Sequence, residues 1–481
     1  IIYFINKFIG AGFENVSAVI ENLNSKIDVL LQSTLRYDSD FEKVKREYYE
    51  ILKRRNSEAH IYLLDKFPFD DFYISPRLGR ARQPDSFLRI IGTQESTNPI
   101  IRKKDDISWE YIFEKQNIIY LTGGAGYGKS LFLKKIINDY DKLSIYKSEE
   151  YLVIYGELKN FYLDKSRTPI PVIDFLLNSA KTSTLLDETK ISREFLNHYL
   201  NMGRCIILLD ALDEVDKSKR NDLHESVIAY FKTQNPNNKI CITSRDRGFI
   251  PESNIEEFSI QPLDRRQIEL YVDKIIALKK FDESEKDNFL DQTSILVKKG
   301  FLNSFLVLSL LINIYKSEKE LPENKLELYQ KCFDYISNKR EKDKSAGAFD
   351  WKIISPLMKD YTFIELAIKC YPNNISTDAE QIKKTLLKIY VSKYGNEVDT
   401  ENAVDEFLRF CSDRTELFVP SAEENKFKFF HRSFFEYFYS QYIFLTFEHS
   451  SKILEEFKKF DVDSEIFELT VAMLKQKSEK R

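Results

Sequence analysis

Glycine and proline are scarce in this chain, at 14 and 13 residues among 481. Collagen-like and Pro/Gly-rich low-complexity classes are thereby excluded, and many helices joined by short loops are expected. Cysteine is rare too. Cys205, Cys241, Cys332, Cys370 and Cys411 are odd in number, widely spaced and form no CxxC. A disulfide framework or zinc site is not expected, and a reducing, cytoplasmic compartment is. The five histidines are too dispersed to suggest a metal cluster. An excess of one charge is also missing: Lys+Arg 72 against Asp+Glu 76 gives a net charge of -4. That argues against a whole-chain nucleic-acid binder, though not against a local basic patch. No apolar run is long enough to cross a membrane. The most apolar stretch, Phe301 to Tyr315, is broken by Asn303, Ser304, Ser309 and Asn313. At ~1.5 Å per residue it falls short of a ~30 Å bilayer core, so a buried helix is expected. The opening IIYFINKFIGAGF contains Asn6 and Lys7 and lacks a charged start with a cleavage site, unlike a secretory signal. The chain begins at Ile1 and not Met, which reads as a trimmed or incomplete product.

What is present is material for large cores. Hydrophobic residues make up 43% and charged residues 31%, the balance of a globular chain. Aromatics reach 14%, mostly Phe and Tyr. At about 150 residues per domain, some three domains are expected.

Residues 13–56 read as helical, from apolar positions three and four apart. The basic cluster Lys53, Arg54, Arg55 follows Glu47 and Glu50 and reads as a solvated face. Residues 68–85, dense in Pro, Gly and Asp, read as a linker. Short apolar runs then alternate with helical stretches: 117–122, 151–158, 205–210 and 239–244, with a further strand at 256–261. That pattern predicts a parallel sheet covered by helices on both faces. After Pro262 come three successive helices, another after Pro322, and three more between Trp351 and Cys411. Strands at 415–419 and 426–430 and a helix follow, the composition of a winged helix. The expected division is 1–85, helical segment and linker; 86–263, the α/β domain that carries the sheet; 264–322, helical domain; 323–447, winged helix; 448–481, the start of a helical C-terminal region.

The strongest motif is Gly123-Gly124-Ala125-Gly126-Tyr127-Gly128-Lys129-Ser130, which fits GxxxxGK[ST] between a strand and a helix. Glycines let successive backbone N–H groups face a phosphate, and the helix N-terminus adds partial positive charge. Lys129 is expected on the terminal phosphates and Ser130 on Mg²⁺, with Leu131 completing the binding segment. Cys205-Ile206-Ile207-Leu208-Leu209-Asp210 reads as the acid-ended strand of such a fold, with Asp210 beside Mg²⁺. Asp213 and Glu214 lie just past it, where either carboxylate could orient the attacking water. Cys241-Ile242-Thr243-Ser244-Arg245 places Arg245 where it would report the γ-phosphate. Asn324-Lys325-Leu326-Glu327 resembles a guanine-reading motif, but it opens a helix far from any strand end, so adenine is preferred.

Taken together, GGAGYGKS, IILLDALDE, ITSR and FFHRSFFEYF resemble a NACHT NTPase of the STAND class, the class that includes NOD-like receptors, over roughly Arg80 to Leu445. The resemblance implies an α/β P-loop NTPase followed by helical and winged-helix domains. It implies a slow regulatory ATPase, closed on ADP, that self-associates when ATP binds and a trigger is sensed. An antiphage-defence member is the expectation, with a phage protein as one possible trigger and with effector and sensor outside this chain. By position, Lys129, Ser130, Asp210 and Arg245 take the family's roles. His431 matches the histidine that contacts the β-phosphate of ADP, where a protonated imidazole is expected. On the residues alone, His431 reads first as a cap of a buried helix; the family string around it favours the phosphate contact. The proline that packs by the adenine is replaced by Phe305, and Ala211 stands where glycine is more usual. The alternatives are an AAA-like or restriction-system motor acting on nucleic acid, and a scaffold with a degenerate site. FFHRSFFEYFYSQYIF is too aromatic and too weakly charged to suit a DNA-reading helix.

Overall fold

The structure, a computed structural model, describes residues 40–61, 65–80, 109–124, 126–140, 151–161, 170–186, 190–215, 218–245, 251–252, 254–335, 356–371, 376–394, 400–411, 417–420, 426–460 and 464–479. Expectations for residues 1–39 and for Ala125 lie outside these.

A six-stranded sheet organises the first half. Its strands are β3 (Leu78–Arg80), β4 (Ile118–Thr122), β5 (Leu152–Glu157), β6 (Cys205–Asp210), β7 (Lys239–Ser244) and β8 (Glu256–Ile260), in the order β3-β8-β4-β7-β6-β5. The last five run parallel, and β3 adds antiparallel to β8 at one edge. β6 and β7 are buried along their whole length, as unbroken apolar runs at the centre of a helix-covered sheet should be. Helices Lys129–Asp139, Val172–Thr184, Arg193–Met202 and Arg220–Lys232 supply the cover and its core.

β5 is an edge strand, and the helix over 40–56 closes it. Tyr48 Oη donates to Val153 O at 2.9 Å, and Val153 N–H donates to Tyr49 Oη at 2.9 Å. Two tyrosines thus occupy backbone groups that would otherwise invite another strand. Arg55, in the expected solvated cluster, donates to Thr182 O and Ser183 O, the last carbonyls of helix Val172–Thr184.

The stretch 68–85 is not a linker through its described part, which ends at Arg80. Phe69, Phe72 and Ile74 are buried in the second core, and Leu78–Arg80 pairs with β8. Proline and glycine set turns here, while the aromatics between them anchor the chain. Upstream, β1 (Glu58–Ile61) and β2 (Asp65–Pro68) form an antiparallel hairpin.

The second half is helical. Asp264 and Gln267 form a capping box at the start of helix Arg265–Ala277. Helices Lys286–Lys298, Phe305–Glu318 and Lys325–Asp334 follow. Residues 307–315 are buried throughout, as expected of the most apolar stretch. Among the described residues no helix is long and apolar enough to cross a membrane. Helices Pro356–Lys369, Ala379–Tyr394 and Thr400–Phe410 come next, then a small antiparallel sheet of β10 (Phe418–Pro420), β11 (Lys426–Phe429) and β9 (Thr377–Asp378). Helices Arg432–Thr446, Ser450–Phe457 and Glu465–Glu479 complete the chain.

Candidate functional site

The ends of β4, β6 and β7 meet where the loop 123–128 turns into helix Lys129–Asp139. Gly126 (φ 72°) and Gly128 (φ 96°) hold the left-handed backbone that the turn requires. A Cβ on Gly126 would lie 2.7 Å from Leu306 Cβ, so the loop packs directly on the helical domain. Lys129 Nζ donates to Gly123 O at 2.7 Å and Gly124 O at 3.1 Å. Its ammonium is thereby held over the loop, at the N-terminus of the helix.

Asp210 sits at the end of β6 with both oxygens engaged. Ser130 Oγ donates to Oδ2 at 2.7 Å, and Tyr155 Oη donates to the same oxygen at 3.1 Å. Thr243 Oγ1 donates to Oδ1 and accepts from Ala211 N–H at 2.8 Å. Burial raises the Asp210 pKa, against the lowering effect of the Thr243 and Ser130 hydroxyls. The donor set fits Mg²⁺: hydroxyl and carboxylate are hard oxygen ligands. Two ligands at ~2.1 Å in neighbouring octahedral positions lie about 3 Å apart, close to the spacing found here.

Ala211 adopts φ 61°, ψ 57°. This left-handed turn explains why glycine suits the position and puts a strain of about 1–2 kcal/mol on alanine. The turn sends Asp213 and Glu214 in different directions. Asp213 faces inward. Its Oδ2 lies 2.7 Å from Arg432 Nη1 and 3.3 Å from Arg245 Nε, and its Oδ1 accepts from Arg245 N–H at 3.2 Å. Glu436 closes the figure, its Oε1 3.1 Å from Arg245 Nη1 and 3.0 Å from Arg432 Nε. The four side chains form an alternating ring of two acids and two cations, each at most 6% exposed. Burial alone would raise the Asp213 pKa, but Arg432, then Lys129, Arg245 and Arg220, hold it below the ordinary value. Ser464 Oγ also donates to Glu436 Oε1 at 3.2 Å. Asp213 and Arg245 belong to the sheet unit, Arg432 and Glu436 to the C-terminal helical unit.

Glu214 points the other way and pairs with Lys159 Nζ at 3.3 Å. His431 is the N-cap of helix Arg432–Thr446: its Nδ1 accepts from Ser433 N–H at 3.1 Å. Burial first, then Arg245, Lys129, Arg432 and Lys428, push its pKa down to about 3. These surroundings favour the neutral imidazole, with its proton on Nε2. The capping reading is realised in this geometry, and it leaves Nε2–H as a donor.

Beside the loop, Phe305 lines an apolar cavity with Phe69, Phe72, Tyr73, Tyr127, Leu131 and Tyr271. Its ring stacks on Tyr271 at 5.6 Å between centroids.

Of the residues singled out in the sequence, Gly123, Gly124, Gly126, Tyr127, Gly128, Lys129, Ser130, Leu131, Asp210, Asp213, Glu214, Arg245 and His431 lie around one junction. Thr243, Tyr155, Lys159, Arg432 and Glu436 were not foreseen as site residues. Arg432 and Glu436 are four apart on one helix face, a signal present in FFHRSFFEYF. Lys159 carries no motif at all.

The family model for the NACHT domain matches residues 117–279. No curated protein matches the chain. Solved structures similar to it include the ORC2 protein of Aeropyrum pernix in its ADPNP-ADP complexes, with 10% identity, TM-score 0.30, and coverage of 75% of this chain and 92% of that one. A signal transduction ATPase with numerous domains (STAND) from Pyrococcus horikoshii, with a tetratricopeptide repeat sensor, shows 10% identity and TM-score 0.33, covering 74% of this chain and 44% of that one. Drosophila ORC bound to DNA shows 12% identity and TM-score 0.30, covering 69% and 86%. Likenesses this distant assign neither ligand nor activity. The match over 117–279 falls on the sheet and loop just described: this segment, with its P-loop between strand and helix, is similar to a NACHT domain.

Proposed function

We propose that the chain is an ATP-operated conformational switch, with the arrangement described above as its closed, ADP-holding form. The observation that carries this reading is the buried ring Asp213–Arg245–Glu436–Arg432, which ties the hydrolytic end of the sheet to the C-terminal unit. Arg245, the candidate γ-phosphate reporter, is committed to that ring. A third phosphate at the loop would compete for the same guanidinium and weaken the contact between units.

In this reading the loop 123–128 and Lys129 hold the phosphates. Ser130 and Asp210 hold Mg²⁺, which would neutralise phosphate charge. Glu214 orients the attacking water, with Asp213 as the alternative that its burial disfavours. Adenine lies against Phe305 at the rim of the aromatic cavity, whose lining favours stacking over hydrogen-bonded base reading. Neutral His431 donates from Nε2 to the β-phosphate while capping its own helix. Hydrolysis is slow and regulatory, and opening leads to self-association. The biological setting we propose is cytoplasmic antiphage defence.

The test is ADP retention. Protein purified without added nucleotide should carry ADP, and exchange for ATP should raise its hydrodynamic size. Purification free of nucleotide, with no size change in ATP, refutes the switch.

A further inference from the structure

Glu214 is held by a different set of charges from Asp213. Lys159 Nζ lies 3.3 Å from Glu214 Oε2 and 2.6 Å from Glu157 Oε2. Glu157 is the last residue of β5, and Lys159 sits in the short turn Leu158–Phe161 that follows it. Glu214 ends the turn Leu212–Glu214 after β6. β5 and β6 are paired neighbours, with Glu157 opposite Asp210. The two turns therefore face each other at the end of the sheet that carries the site. A second cation arrives from the C-terminal unit. Lys428 on β11 is half-buried, and near enough that Lys159, Glu214 and Glu157 act on its charge. Burial, then Lys159, lowers its pKa. Lys159 itself is raised, because Glu214 and Glu157 outweigh the opposing effect of burial. Two lysines thus balance two glutamates across the contact between the units.

We propose that Lys159 is a positioning residue for Glu214, keeping its carboxylate engaged while β11 is docked and releasing it when β11 leaves. This rests on the reading of Glu214 as the acid that orients water. The charge count gives the direction. With Lys428 in place there are two ammoniums for two carboxylates. Once β11 undocks, a single ammonium faces two carboxylates that repel each other. It keeps Glu157, the shorter contact and a near neighbour in sequence, and gives up Glu214, the longer one. Hydrolysis is then held back in the closed form by the same contact that Arg432 and Glu436 stabilise.

The experiment is single-turnover ATP hydrolysis by the full chain, with the ATP dissociation constant measured in parallel. Lys159→Met should speed hydrolysis about fivefold, the upper range for a partly exposed ion pair, with ATP affinity unchanged. Lys159→Arg should restore the wild-type rate, and Lys428→Met should act in the same direction as Lys159→Met. Glu157→Gln, which leaves Lys159 to Glu214 alone, should slow hydrolysis. A general folding defect would slow all of these, so opposite signs separate the two causes. In a Glu214→Gln background, Lys159→Met should change nothing. The inference is overturned if wild type binds and hydrolyses ATP while Lys159→Met is no faster, or if the acceleration persists without Glu214. Those outcomes leave the switch reading standing, whereas wild type that binds no nucleotide overturns both.

Discussion

Removing Glu436 tests the buried ring most directly. The ring holds two negative and two positive side chains at contacts of 2.7 to 3.3 Å. Glu436→Gln keeps the shape and leaves Arg245 and Arg432 sharing Asp213 alone, a net buried positive charge. Breaking a buried pair from one side costs about 3–5 kcal/mol, or roughly two to four decades in the closed-to-open equilibrium. A switch biased by a few kcal/mol would open. The double variant Glu436→Gln with Arg432→Met removes one charge of each sign and leaves the Asp213–Arg245 pair intact. It should therefore cost less than Glu436→Gln alone, a coupling of about 1–3 kcal/mol. The ring is also incompletely satisfied: Arg432 Nη2 and Glu436 Oε2 are buried without a hydrogen-bond partner among the described residues. That lowers the barrier to exchange for a phosphate. Hydrogen exchange across 432–446 and 205–215, together with the ADP off-rate, reads the opening. Costs that simply add in the double variant would refute the ring as a coupled unit. Unchanged exchange and off-rate in Glu436→Gln would refute its role in holding the closed form.

Lys129→Ala should abolish nucleotide binding, because it removes the ammonium held over the loop at the helix N-terminus; equal ATP affinity by calorimetry would remove the loop from the site. Glu214→Gln should bind ATP normally and hydrolyse it about 10²-fold more slowly, and if Asp213→Asn does so instead, the roles are exchanged. Ala211→Gly should stabilise the protein by about 1 kcal/mol by relieving its left-handed backbone, and a lower melting temperature would contradict that geometry. For His431 the folded pKa is about 3 against an ordinary 6.5, so the unfolded chain binds the proton first as pH falls. The associated stability is complete above pH 6.5 and is lost toward pH 3, at up to about 1.4 kcal/mol per pH unit. His431→Asn keeps the cap and cannot titrate, so its melting temperature should fall less between pH 6.5 and 5; parallel curves would refute the buried neutral imidazole.

The parts of this fold that the sequence made legible are those written in short windows. β6 and β7 are unbroken apolar runs, and the loop 123–128 is a spacing of glycines before Lys129. What escaped depends on distant pairing. β3 was hidden because Pro76 and Gly79 read as a linker, although Phe69 and Phe72 bury beside Tyr271, some 200 residues on. Arg432 and Glu436 were visible as letters in a string, but nothing in their own helix says that Asp213 and Arg245 complete the ring. His431 shows where residue type and environment part company. A phosphate nearby argues for an imidazolium, yet burial and four cations, Arg245, Lys129, Arg432 and Lys428, disfavour a further positive charge. With Nδ1 occupied by Ser433 N–H, the ring still offers Nε2–H. A hydrogen bond from His431 to a phosphate would then come from a neutral donor, with the positive charge supplied by Lys129 and, once the ring opens, by Arg245.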